Sequence, residues 1–187
     1  MLPLLSLRWG MKKTLLLAVL IVLISTSGLF ATTTDNFNVT TVVAILDLMT
    51  VSTTQYTGST VTSFDNLYPF TTLAISAGGA QTFEAWLSTL SNNRAGFRVN
   101  MKASAMKSSI SGQADAYINY KVGCNTAFVA TNNGSEVTAP NPVVTFPSLS
   151  EVTSTSNRIN LSVSQTDFDK ALSGFYTGTV TFIYTAN

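Results

Sequence analysis

Few residues in this chain have the types and spacing that chemistry requires. It contains no histidine, which excludes Ser-His-Asp and Cys-His nucleophilic sites and His-ligated metal centres. Its nine acidic residues are scattered, and none falls in the Asp-x-Asp-x-Asp spacing of a calcium loop. The closest pair, Asp167 and Asp169 in DFD, reads as the cap of a turn or short helix after a strand, with an ion site as the alternative. No Gly-rich loop leads into Lys-Ser or Lys-Thr, so no phosphate cradle is present. A single cysteine, Cys124, cannot form an internal disulfide. It is expected as a buried thiol acting as a small apolar side chain, with an intermolecular bridge as the alternative. These residues argue against an enzyme and against a bound cofactor.

What remains is a chain built to fold and to associate. Lys12 and Lys13, the apolar run Thr14 to Ile24 and the small residues up to Ala31 read as a secretion signal covering residues 1–31. An uncleaved anchor is the alternative, although the run is short for a bilayer span. Met11 suits the start of such a signal better than Met1. Without Arg8, Lys12 and Lys13, seven basic residues face nine acidic ones. That balance offers no basic patch for nucleic acid. Thr, Ser, Asn and Val dominate the rest, a composition of strands and turns.

Alternation places the strands. Phe97, Val99 and Met101 face one way and Arg98, Asn100 and Lys102 the other, a half-buried antiparallel strand. Ala116, Ile118, Tyr120 and Val122 share a face in the next strand. APNPVVTFP reads as a short proline-bounded edge segment, RINLSVS as a strand through Ile159, Leu161 and Val163, and FYTGTVTFIYTAN as the closing strand. SNNRAG, SSISGQ and TNNGSE are turns by composition, QTDFDKALSG is a connector with one helical turn as the alternative, and TFEAWLSTL is either a short helix or an irregular strand. Short strands separated by turns, with little helix, predict an all-β, immunoglobulin-like antiparallel sandwich. The expected organisation is a signal at 1–31, an N-terminal extension at 32–47 and one sandwich domain at 48–187.

The extension carries the main functional question. TTDNFNVTTVVAILDLMTV, Thr33 to Val51, reads as a strand. Phe37, Val39, Thr41, Val43 and Ile45 alternate with Asn38, Thr40, Val42 and Ala44, and the second half is apolar on both faces, as in a strand buried within a sheet. Such a strand either pairs inside its own sandwich or pairs with another chain.

NFNVTTVVAILDL, Asn36 to Leu48, resembles the mature N-terminus of major pilins of the colonisation-factor-antigen type, the class 5 fimbriae of the alternate chaperone–usher route. RINLSVS, LSGFYTGTVTFIYT and SNNRAGFRVNMKA are similar to later elements of those pilins. Secreted spore-coat-U-like proteins share this type of ending. The chain departs from the pilin pattern in having Cys124, in lacking a proline before the Asp-Leu element, and in that Tyr184 is not penultimate. The resemblance implies a sandwich one strand short, completed by donor-strand exchange. It implies a donor strand of Phe37, Val39, Thr41, Val43 and Ile45, and an acceptor groove lined in part by Val180, Phe182 and Tyr184. The implied partners are further copies of the chain, a periplasmic chaperone, an outer-membrane usher and a tip adhesin. The implied route runs through the periplasm to a cell-surface fimbrium. A monomeric secreted carbohydrate-binding sandwich, using Trp86, Tyr117 and Tyr120 for stacking, is the competing function.

Overall fold

The computed structural model of the protein describes residues 36–187. The secretion signal expected at 1–31 lies outside them, as does the start of the extension. The chain divides into two units, Met1–Val42 and Val43–Asn187. In the first, residues 36–42 form neither helix nor strand and are exposed.

The second unit is built from twelve strands and two short helices. Their order is β1 Asp47–Ser52, α1 Val61–Asp65, β2 Gly79–Ala80, β3 Trp86–Ser91, β4 Phe97–Ala103, β5 Met106–Ser108 and β6 Ala116–Ile118. There follow β7 Tyr120–Cys124, β8 Ala127–Ala130, β9 Val137–Thr138, β10 Val144–Phe146, β11 Thr153–Val163, α2 Gln165–Asp169 and β12 Val180–Ala186. One sheet runs β1-β3-β11-β7-β8, with β2 also on β11. The facing sheet runs β10-β4-β12, with β9 also on β4. β5 and β6 form a separate ribbon. Every pairing is antiparallel. The protein is an all-β, immunoglobulin-like sandwich.

Alternation explains the core. In β4, Phe97, Val99, Met101 and Ala103 point inward and are buried against Leu87 of β3, Val122 and Cys124 of β7, and Ile159 of β11. Fully burying such side chains stabilises by about 1.5–3 kcal/mol each. The Cys124 thiol sits in this core and points at the Asn157 carbonyl oxygen, 3.8 Å away. It presents no exposed sulfur for an intermolecular bridge.

β3 resolves the ambiguity of TFEAWLSTL in favour of a strand. Leu87 faces the main core, while Leu90 faces the other way into a second cluster with Tyr56 and Phe64. Helix α1, capped by the Thr60 side chain accepting from Ser63 N, carries Phe64 into that cluster. The buried hydroxyls of β3 are matched across the sheet: Ser88 with Ser156 at 2.9 Å and Thr89 with Thr155 at 2.8 Å. The run ADAYINYKVG, read as one strand, is two. Asn119 interrupts it, because its side chain bonds Asp167 Oδ2 (3.0 Å) and Asn133 N (2.8 Å). The chain there leaves β5 and joins β11 and β8. The DFD carboxylates sit in α2, capped by Ser164, and no cluster of potential metal ligands occurs among the described residues.

The opening stretch behaves differently from its sequence pattern. Of its described residues, only those from Asp47 form a strand, antiparallel to β3. Phe37, Val39, Val43 and Ile45 are 87, 82, 74 and 74% exposed, and Thr41 is exposed as well. β-propensity alone does not hold a strand; a ladder partner must satisfy its backbone groups. Among the described residues no helix is long and apolar enough to cross a membrane.

Candidate functional site: an apolar groove beside the last strand

β12 pairs with β4 along all seven residues. Its other edge has no strand partner among the described residues. Beside that edge lies a groove of ≈ 870 Å³. β12 contributes Val180 and Phe182, and the facing sheet contributes Val51, Val122, Ile159 and Leu161.

Two segments without regular structure flank the groove. The first is Phe70 to Ile75. Leu73 and Ile75 are half-buried between exposed Thr72, Ala74 and Ser76, the alternation of a strand. Yet Thr71 to Ser76 make no backbone hydrogen bond among the described residues. The second is Ala171 to Gly178. It is shaped by the Tyr176 hydroxyl donating to Leu172 O at 3.0 Å and pinned by reciprocal bonds between Lys107 and Thr177 at 2.9 and 3.0 Å. Leu172 and Phe175 on this rim are 66 and 87% exposed. An unpaired backbone edge beside an apolar trough is the arrangement that accepts an extended peptide.

The three residues expected to line the groove are all on β12, but they divide. Val180 and Phe182 line it. Tyr184, the next on that face, does not. Its ring stacks on Phe97 with centroids 4.8 Å apart, and its hydroxyl donates to Asp47 Oδ1 at 2.5 Å. Ser91 Oγ donates to the same carboxylate oxygen at 2.8 Å. The flanking segments were not anticipated as part of the site. The Leu73–Ile75 alternation was the available signal for one of them. Asp47 and Tyr184 lie 137 residues apart, and no sequence pattern joins them. Of the residues considered for sugar stacking, Tyr120 is buried, with its hydroxyl donating to Thr179 O at 3.3 Å; Trp86 and Tyr117 are part-exposed on β3 and β6.

Burial pushes the Cys124 thiol and the Tyr120 hydroxyl up to about 12. Burial, followed by the bond to Asp47, does the same to Tyr184. Each group keeps its proton longer folded than unfolded, so the unfolded state is favoured once it alone ionises. The stability these groups contribute is intact below their ordinary values of 9.0 and 10.0 and is lost as pH climbs towards about 12. Melting temperature is therefore expected to fall between pH 9 and pH 12, measured by circular dichroism.

Compared with protein-family models, with curated proteins and with solved structures, the chain has no significant match.

Proposed function

We propose that the protein is a structural subunit of a chaperone–usher fimbrium that polymerises by donor-strand exchange and supports cell adhesion. The observation that carries this reading is the open apolar groove along the unpaired edge of β12. The exposed alternating stretch Phe37–Ile45 supports it, because it has the pattern of the strand that the groove lacks. In the polymer, Phe37, Val39, Thr41 and Val43 of one subunit enter the groove of the next, and Ile45 marks the end of the strand, where the chain returns to its own sandwich. Each apolar side chain that becomes buried contributes about 1.5–3 kcal/mol, and the new hydrogen-bond ladder adds to that. Before assembly a periplasmic chaperone fills the groove, and an outer-membrane usher directs the exchange. The finished fimbrium stands on the cell surface and either displays a tip adhesin or adheres itself.

The test is the size distribution of the purified protein. A chain retaining residues 32–43 is expected to form multimers that persist without metal or ligand, and a chain lacking them is expected to form none. Equal distributions for the two chains overturn the proposal.

A further inference from the structure

Past the last groove residue of β12, a side-chain pair joins the two sheets. Along β12, Val180 and Phe182 open into the groove; Tyr184, two residues on and about 7 Å further, does not. On the facing sheet Val51 lines the groove, and Asp47, at the other end of β1, receives the Tyr184 hydroxyl. On β12 the lining stops at Phe182, and on β1 at Val51, with Met49 packed against the core between Val51 and Asp47; beyond both, the Tyr184–Asp47 hydrogen bond crosses from one sheet to the other. A bond to a carboxylate is among the stronger kinds. Ser91 and the Phe97 ring hold its two ends in place.

We propose that the Asp47–Tyr184 pair is an end stop that fixes how far an inserted strand runs, and so sets its register. The inference rests on the groove being a strand acceptor. Alternation in the incoming strand rejects a slip of one residue, which turns Asn38 and Thr40 into the groove. It does not reject a slip of two. Val39, Thr41 and Val43 are close in size, so a shift by one pair leaves the pattern almost unchanged. A physical stop supplies the discrimination that the repeat lacks. A strand that ran further would have to break the bond to Asp47 and lift the Tyr184 ring from Phe97.

The experiment uses the chain beginning at Ala44, whose own extension cannot fill the groove and which the Asn92 bonds hold from its first residue, and fluorescent peptides containing Phe37 to Val43, extended at either end by one or two Val-Thr pairs. In the unaltered protein, pairs added at the end facing the stop leave the Kd unchanged. In Y184A, and in D47A, the first such pair tightens binding by up to about tenfold, the effect of burying one more valine. A purely structural role weakens all peptides by one factor and leaves unchanged the length at which affinity levels off. That result in both variants overturns the end stop and leaves the acceptor reading standing. Failure of every peptide to bind the unaltered protein overturns both. Y184F keeps the ring that stacks on Phe97 and loses only the bond to Asp47, so it is the fold control against which Y184A and D47A are judged.

Discussion

A chain beginning at Ala44 is expected to melt about 5–10 °C higher when a synthetic peptide spanning Asp35 to Val43 is present at a hundredfold excess over its Kd. A ligand at that excess stabilises by about 2.7 kcal/mol, and a domain of this size gains about 2–4 °C per kcal/mol. Ala44 is the right starting point, because the sandwich holds the chain from there. Asn92 Nδ2 donates to Ala44 O at 2.9 Å, and Leu46 N donates to Asn92 Oδ1 at 2.7 Å. Beginning later would remove Asp47 and confuse loss of the extension with damage to β1. A peptide with Val39 and Val43 replaced by aspartate is expected to give no shift, since each substitution sends a charge into an apolar trough. If the truncated chain melts cooperatively at one temperature with or without the natural peptide, the groove takes no strand and polymerisation by this route is ruled out.

Gly96→Ala is expected to destabilise the fold by about 3 kcal/mol or more, read as a shifted denaturation midpoint with an unchanged slope. Gly96 ends the SNNRAG turn with φ of +84°, a conformation that costs an L-residue about 1–2 kcal/mol. A Cβ there would also collide with the Phe146 carbonyl oxygen and press on Pro147 and Ser148. That backbone has little room to yield. Phe146 is paired with Phe97 in the ladder, and the Gly96 carbonyl accepts from Asn187 N at 3.0 Å. The substitution thus strains β4, β10 and the chain terminus together. Gly112 is the internal comparison. It has φ of +79° with nothing near its Cβ position, so Gly112→Ala bears the backbone cost alone and is expected to lose only about 1–2 kcal/mol.

Sequence alternation located most of the sandwich because most strands bury one face. β4 alternates cleanly, β11 does so only in its Ile159–Val163 half, β12 carries Val180, Phe182 and Tyr184 on one face, and the composition of SNNRAG marked the turn that Gly96 completes. β3 was ambiguous for a physical reason: covered on both sides, it has Leu87 and Leu90 on opposite faces and buried hydroxyls between them, which breaks the two-residue period. Asn119 looked like an ordinary polar position in an alternating run, yet its side chain bonds across long sequence separations. Helix α1 is only five residues long, too short to announce itself by periodicity. The opening stretch shows a different limit. It has the pattern of a strand, but pattern does not supply a partner. The groove was legible only on its β12 side; the flanking segments and the Asp47–Tyr184 contact depend on folded proximity.

The place of β11 in the sheet has a consequence for the timing of folding. It lies between β3 and β7, yet it starts at Thr153. Until it arrives, β1 with β3 and β7 with β8 are separate antiparallel pairs, which are marginal on their own in water. The facing sheet waits longer still, for β12 at Val180–Ala186. Loop closure over such distances must precede the contacts that reward it. The sandwich therefore stays incomplete until β12 has been made, and the apolar faces of the earlier strands lack their cover throughout that interval.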